Sequence, residues 1–344
     1  MPPTTPPFMH EQHLAMLKYE AAGLEILGPC PPHLHETSIT IPLTANRSNT
    51  TKIIFPRPSP EQHKPLHCPL IIYFHGGGLS TCTPDQVLAP ARGFAIALSC
   101  IVACPALNQL PFEPFPGPVK MAWEVCAWLS NPQNLNDGVL GEASAVFDPS
   151  RGIVVGGLSS GGAVAAVLGT VSGCITAGLE EFARLPSLQS PITGIFSGLP
   201  FLVTEGMIPS EYCQLFKSRD LASDDTLRLE LEARLDVHSP WFSPLNVRLD
   251  QVNCGTFQHH PRKVFTYGGE TDQFRDDAII YGNWLSKLPG VQSRTVILEN
   301  EGHTAWVTPP WSASHSRRIK QVTLDGMAWV LGLKYDKRLL DSLV

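Results

Sequence analysis

The segment Gly157-Leu158-Ser159-Ser160-Gly161-Gly162 decides how this chain is interpreted. It follows the apolar run Gly-Ile-Val-Val-Gly at 152–156 and precedes the small-residue run Ala-Val-Ala-Ala-Val-Leu at 163–168. A strand, then G-x-S-x-G, then a helix is the context in which a sharp turn exposes a serine hydroxyl. Because a serine needs such exposure and a neighbouring base to act as a nucleophile, Ser159 is the first candidate catalytic residue.

Unbroken apolar runs on both sides of this segment predict strands that are covered on both faces of a sheet. Helical stretches are predicted between most of them. This alternation indicates a mostly parallel sheet flanked by helices. The predicted core strands are 70–74, 101–103, 153–155, 192–196, 264–267 and 295–298, the predicted helices are 11–22, 89–98, 119–129, 162–171, 276–288 and 314–331, and two further strands precede the core at 38–43 and 52–55.

Residues 202–244 break the alternation, because they lie between two predicted core strands and contain no predicted strand. They predict two helical pieces instead, at 209–217 and 224–235. An insertion of this length in an α/β core usually forms a lid over the functional site. We therefore expect one domain over residues 1–344, with a cap formed by about residues 1–35 and 202–244.

A second glycine-rich motif, Phe74-His75-Gly76-Gly77-Gly78, directly follows the first predicted core strand. Acyl transfer builds negative charge on a carbonyl oxygen, and backbone N–H groups aimed at that oxygen stabilise it. Glycines let the backbone approach a ligand closely and adopt unusual dihedral angles. A tight turn with a structural histidine is the alternative interpretation, and the G-x-S-x-G segment downstream argues against it.

Taken together, HGGG and G-x-S-x-G-G resemble the hormone-sensitive-lipase-like family of α/β-hydrolases, over about residues 71–303. The resemblance implies the α/β-hydrolase fold, a mostly parallel central sheet flanked by helices, with a helical cap. It also implies carboxylesterase activity through a Ser-Asp-His triad. In that family an acid follows a later strand, four residues before another Asp, and a histidine follows the last strand.

These family positions fall on Asp272, with Asp276 as the later Asp, and on His303. Chain order then runs Ser159, Asp272, His303, as in hydrolases of this fold. Glu270 is the rival for the acid role. Asp276 and Asp277 are expected to face the start of a helix, where negative charge is favourable.

The resemblance also assigns supporting roles. The N–H groups of Gly77, Gly78 and Ser160 are expected to form the oxyanion hole. Gly76 is expected to shape the loop, and His75 to hold it by hydrogen bonding. The resemblance implies neither a metal nor an organic cofactor.

Two family features are missing from this sequence. The residue before the nucleophile is Leu158, where the family usually has Asp. After the second core strand the sequence reads Pro-Ala-Leu-Asn-Gln-Leu-Pro at 105–111, where the family usually has a run like Tyr-Arg-Leu-Ala-Pro-Glu. Since an Asp and an Arg are absent together, we expect apolar packing to replace a charged pair near the serine.

Composition narrows the class of protein further. The net charge is −6 and the sequence contains no basic patch, so no nucleic-acid partner is expected. Neither a signal peptide nor a transmembrane segment is recognisable in the sequence. The nine cysteines include no C-x-x-C pair, which is typical of small core residues in a reduced compartment. We therefore expect a cytoplasmic protein; the sequence does not indicate its oligomeric state.

The function expected from these features is a serine esterase of the carboxylesterase type. Its expected substrate is a small apolar ester, for example an acetyl or other short acyl ester, and Phe201, Trp241 and Phe242 are candidate pocket walls. An acyltransferase, lactonase, thioesterase or arylformamidase would use the same three residues. A non-catalytic small-molecule receptor on the same scaffold is the alternative from a different class.

Overall fold

Eight strands form one central sheet. The computed structural model describes residues 7–57, 64–107, 113–141, 145–175, 180–182, 184–221, 226–247, 256–308 and 313–344. The strands of the central sheet are β1 (Leu34–Pro42), β2 (Ser48–Pro56), β4 (Leu70–Phe74), β5 (Ile101–Pro105), β7 (Ile153–Leu158), β8 (Gly194–Gly198), β9 (Lys263–Gly269) and β10 (Gln292–Leu298). Across the sheet they lie in the order β1-β2-β5-β4-β7-β8-β9-β10.

Six neighbouring strands of this sheet run parallel to one another, namely β5, β4, β7, β8, β9 and β10. Strand β2 is antiparallel to both β1 and β5. The mostly parallel sheet predicted from the sequence is therefore confirmed. Every residue of β4, β5, β7 and β8 is buried, as expected for strands covered on both faces.

Helices cover both faces of the sheet and create two apolar layers. One layer includes residues of α3, α5 and α7, and the other includes residues of α2 and α8. The helices are α1 (Pro7–Leu27), α2 (Leu88–Leu98), α3 (Gly117–Leu129), α4 (Pro132–Asn136), α5 (Ser160–Cys174), α6 (Thr226–Glu232), α7 (Arg275–Leu285) and α8 (Ala313–Leu331).

The structure adds elements that the sequence did not predict. Strands β3 (Leu66–Cys68) and β6 (Ala145–Phe147) pair in parallel as a separate two-stranded sheet. Each has only three residues, which is too short for a periodic signal. The short helix α4 was also not predicted.

The insertion between β8 and β9 contains no strand among its described residues and less α-helix than predicted. Two 3₁₀-helices, Ser210–Leu215 and Ser218–Leu221, occupy the region of the first predicted helix. The second predicted helix, 224–235, corresponds to α6 (Thr226–Glu232), and residues 224 and 225 lie outside the described residues. A third apolar cluster joins this insertion to the acid-bearing loop; its members are Phe201, Leu231, Phe242 and Phe274.

Candidate active site

Ser159 lies on the sharp turn between β7 and α5. Its dihedral angles are φ 54° and ψ −123°, in a region that residues with a side chain rarely adopt. The turn is so tight that a Cβ on Gly157 would overlap the backbone of Gly161, and a Cβ on Gly161 would overlap the carbonyl oxygens of Phe74 and His75. The two glycines of the motif therefore allow strand, turn and oxyanion loop to pack closely around Ser159.

The structure brings Ser159, Asp272 and His303 together in a chain of hydrogen bonds. His303 Nε2 lies 3.0 Å from Ser159 Oγ, and His303 Nδ1 lies 2.7 Å from Asp272 Oδ2. A carboxylate only accepts hydrogen bonds, so Nδ1 carries the proton and Nε2 is free to accept the serine proton. The arrangement can therefore activate a serine hydroxyl.

Asp272 is held in place by its own loop. It is buried, and its second oxygen, Oδ1, accepts a hydrogen bond of 3.0 Å from the N–H of Phe274. The rival acid, Glu270, is exposed and accepts instead from the N–H of Asn300 at 2.8 Å. The hydrogen bond to His303 therefore favours Asp272 over Glu270.

Asp276 and Asp277 lie in the first turn of α7, as expected, but their side chains bind other segments. Asp276 Oδ2 accepts hydrogen bonds from the N–H groups of Lys217 and Ser218. Asp277 Oδ2 accepts from two further N–H groups, those of residues 202 and 203, at 2.7 and 2.8 Å. Both carboxylates therefore attach the insertion to α7.

The HGGG loop follows β4 and lies beside Ser159. Gly77 and Gly78 have φ angles of 98° and 62°, and a Cβ on Gly77 would overlap the carbonyl oxygen of Thr81. Within the described part of the chain, the N–H groups of Gly77 and Gly78 donate no hydrogen bond to a protein atom. The N–H of Gly76 donates instead to Gln86 Oε1 at 2.7 Å. The bond to Gln86 therefore fixes the loop at Gly76, before the two glycines with positive φ.

His75 is a buried link between this loop and the segment after β5. Its Nε2 accepts from the N–H of Leu107 at 3.1 Å, and its Nδ1 lies 2.8 Å from the carbonyl oxygen of Gly76. Both bonds are satisfied by a neutral ring with its proton on Nδ1. Burial lowers the pKa of His75 to about 4. The position agrees with the loop-holding role expected for His75.

Leu158 packs in an apolar environment. It is buried in the same cluster as Tyr73, Phe196 and Leu199. The opposite segment, after β5, is described only as far as residue 107, so the rest of the run at 105–111 lies outside the described residues. Around Leu158 itself, apolar packing occupies the position where the family usually has a charged side chain.

A cavity of about 370 Å³ opens onto Ser159 and His303. Its wall includes side chains from α1, from the insertion and from α3 and α5, and most of them are apolar. The predicted wall residues Phe201, Trp241 and Phe242 all line it. Phe274, which the sequence analysis did not single out, lines it too, and its ring lies 5.3 Å from the ring of His303. Its only sequence signal is its position two residues after Asp272.

Among the described residues, no group of three or more His, Cys, Asp or Glu side chains could hold a metal ion. No helix in that same part of the chain is long and apolar enough to cross a membrane.

A family model described as the alpha/beta hydrolase fold matches residues 71–307, which include all three members of the hydrogen-bonded chain. The chain belongs to the hormone-sensitive-lipase-like group of α/β-hydrolases. The predicted resemblance and fold class are thus confirmed.

Two similar proteins align with parts of this chain. Esterase LipI of Mycobacterium tuberculosis is 28% identical over 41% of this chain and 39% of its own length. Carboxylesterase NlhH of the same organism is 33% identical over 29% of this chain and 28% of its own length. The aligned segments thus span well under half of either relative.

Solved structures extend the likeness over nearly the whole chain. The crystal structure of vibralactone cyclase covers 96% of this chain and 92% of its own, with a TM-score of 0.75 and 19% identity. At this level of identity the likeness supports the fold alone.

Proposed function

We propose that this α/β-hydrolase is a serine esterase of the carboxylesterase type that works through an acyl-enzyme. The observation that carries the proposal is the hydrogen-bonded chain from Asp272 through His303 to Ser159, with distances of 2.7 and 3.0 Å. Two similar proteins are named esterase and carboxylesterase, which agrees with it.

The reaction begins when Ser159 Oγ attacks the carbonyl carbon of the ester. His303 Nε2 takes the serine proton as the new C–O bond forms, and Asp272 stabilises the charged imidazolium. The carbonyl oxygen becomes negatively charged and accepts hydrogen bonds from the N–H groups of Gly77, Gly78 and Ser160. Such donors each contribute about 2.7–4 kcal/mol to transition-state stabilisation in other hydrolases.

The attack produces a tetrahedral intermediate, and its collapse breaks the bond to the leaving alcohol. His303 returns the proton to the alcohol oxygen, which leaves an acyl group on Ser159. A water molecule then repeats the sequence with His303 as base, which releases the carboxylic acid and restores the serine. Every step uses protein groups and water.

The expected substrate is a small apolar ester with a short acyl group. A cavity of about 370 Å³ with mainly apolar walls favours burial of a compact apolar molecule. About residues 1–35 and 202–244 act as the cap in this proposal, because Met16 of α1 and several residues of the insertion contribute to the wall. Residues 1–6 and 222–225 of these ranges lie outside the described residues.

Hydrolysis of p-nitrophenyl acetate, butyrate, octanoate and palmitate by the wild type and two serine variants tests the proposal. We expect turnover of the shorter esters, little turnover of the palmitate, and a loss of about ten-thousand-fold or more in Ser159→Ala. Ser172→Ala, on α5 away from the cavity, is the matched control and should stay within about twofold of the wild type. Equal rates in the wild type and Ser159→Ala would exclude the proposed nucleophile.

A further inference from the structure

Arg228 is a buried cation in the cap, on α6, and only 4% of its side chain is exposed. Burying a charge is costly unless partners compensate for the lost water. The guanidinium lies 4.9–5.3 Å from the ring centres of Phe201, Phe216 and Phe274. Three aromatic faces at this distance attract a cation, so the site is built around the positive charge.

The hydrogen bonds of Arg228 join three separate segments. Its Nη1 donates to the carbonyl oxygen of Val203, just after β8, and its Nη2 donates to the carbonyl oxygen of Gln273 at 2.8 Å. The same Nη2 lies 3.5 Å from Oδ1 of Asp277, whose side chain is fully buried. The other oxygen of Asp277 accepts from backbone N–H groups of the insertion. A single side chain thus connects α6, the start of the insertion and the loop that carries Asp272.

The contacts continue from that loop to His303. Gln273 and Phe274 directly follow Asp272 in the chain, and the N–H of Phe274 donates to Asp272 Oδ1 at 3.0 Å. The ring of Phe274 packs edge-on against the ring of His303, with 5.3 Å between centres and an angle of 72°. Arg228 therefore contacts the two residues that follow the acid, Gln273 and Phe274, and the second of these packs against the base. Arg228 itself is not among the residues that line the cavity.

We propose that Arg228 is a positioning residue that couples the cap to the triad by holding Gln273 and Phe274, and through them Asp272 and His303. The inference rests on the proposed function, because it concerns the same three residues. A buried ion pair is weak evidence of a role in folding stability, since well-packed apolar residues that replace both partners often keep the stability unchanged. An arginine supplies in addition two directional hydrogen bonds to backbone carbonyls.

The test compares Arg228→Met and Arg228→Lys with Arg92→Met. Arg92 is the matched control because it is also a buried arginine, with an ion pair of 2.8 Å to Glu36 and hydrogen bonds to two backbone carbonyls. It lies on α2, outside the site. For each variant we would measure kcat and KM for p-nitrophenyl butyrate, the rate of inactivation by an organophosphate, and the thermal unfolding midpoint.

We expect Arg228→Met to lower kcat and the inactivation rate by about tenfold to a hundredfold, with KM changed less than threefold, because Arg228 does not touch the substrate cavity. Arg228→Lys should recover part of the loss, since it keeps the cation but not the forked hydrogen bonds. Arg92→Met should lower the unfolding midpoint and leave kcat within about twofold.

The inference is overturned if folded Arg228→Met keeps the wild-type kcat, or if Arg92→Met loses as much activity for the same loss of stability. Should Arg228→Met fail to fold, Arg228→Lys is judged by the same criterion. A wild-type protein that hydrolyses no ester and reacts with no organophosphate would count against the proposed function as well, whereas an active wild type with an unaffected Arg228→Met counts against this inference alone.

Discussion

The loops at the carboxyl edge of the sheet and the insertion between β8 and β9 are held by different kinds of interaction. The serine turn and the acid loop are fixed by backbone hydrogen bonds, namely Ser159 N–H to the carbonyl oxygen of Gly198 at 2.8 Å and Glu270 N–H to that of Leu298 at 2.9 Å. The HGGG loop is held in addition by the nearby side chains of Gln86 and His75. The insertion depends on side chains, chiefly Asp276, Asp277 and Arg228.

This difference has a consequence for what each region requires of its sequence. Backbone packing at the turn tolerates only glycine at a few positions, so the catalytic edge carries short motifs that can be recognised. The insertion uses side chains that are far apart in sequence from their partners; Gln273, whose carbonyl oxygen Arg228 binds, lies 45 positions further along the chain. Such contacts follow no fixed spacing, and the insertion therefore carries no comparable motif.

The largest expected effect separates the two acids of the β9 loop. Asp272→Asn should lower kcat about ten-thousand-fold, because an amide can no longer hold the neutral His303 in the proton-accepting form. Glu270→Gln should stay within about threefold, since the Glu270 carboxylate accepts, within the described part of the chain, only from the N–H of Asn300. Steady-state kinetics of the two variants tests this assignment. If Glu270→Gln lost more activity than Asp272→Asn, Glu270 and not Asp272 would be the acid of the triad.

A smaller effect on kcat is expected from alanine substitution of the two glycines of the HGGG loop. Gly77 lies against the loop itself, whereas Gly78 lies against the cap. Gly77→Ala should lower kcat at least a hundredfold, because its Cβ would overlap the carbonyl oxygen of Thr81 and displace the donors. Although a φ of 62° also strains an alanine at this position, the Cβ of Gly78→Ala would meet, among the described residues, only the Leu231 side chain of the cap, at 3.2 Å. That side chain can move, so we expect a loss of less than about tenfold. Similar losses in the two variants would contradict this picture of the loop.

The smallest expected effects concern how the free energy of unfolding depends on pH. His75 of the HGGG loop and Asp277, which binds the insertion, should change it in opposite directions as the pH falls. Burial holds the pKa of His75 at about 4, below the ordinary value of about 6.5. The unfolded chain therefore binds a proton first as the pH falls. The stability that His75 contributes is present above about pH 6.5 and is lost as the pH falls through 4, with a loss of about 2 kcal/mol at pH 5.

Asp277 behaves in the opposite way. Burial raises its pKa to about 7, although Arg228 and two backbone N–H groups act against the rise. The folded protein then keeps a proton that the unfolded chain loses above about pH 4. Its contribution is present below about pH 4 and is lost as the pH rises through 7.

Urea unfolding at pH 5, 6 and 7 would test both signs. His75→Gln should show a smaller loss of unfolding free energy from pH 7 to pH 5 than the wild type. Asp277→Asn should show a larger one, because the opposing contribution of the carboxyl group is gone. Equal pH dependence in all three proteins would contradict the assigned pKa shifts.

Much of the fold was predictable because buried parallel strands are continuous apolar runs, as in 70–74 and 153–155. The three-residue strands β3 and β6 gave no such signal. The grouping of Ser159, Asp272 and His303 was predicted from motifs and family position, and the structure places them within hydrogen-bonding distance. Neither Phe274 nor Arg228 could be identified, because their roles depend on packing between distant segments.

The central claim is that Ser159 is the nucleophile that forms the acyl-enzyme, and covalent labelling tests it most directly. The wild type and Ser159→Ala would be treated with a fluorophosphonate, digested and mapped by mass spectrometry. We predict one adduct per chain, on Ser159, and none in the variant. An adduct on a different residue, or equal labelling of Ser159→Ala, would contradict the claim.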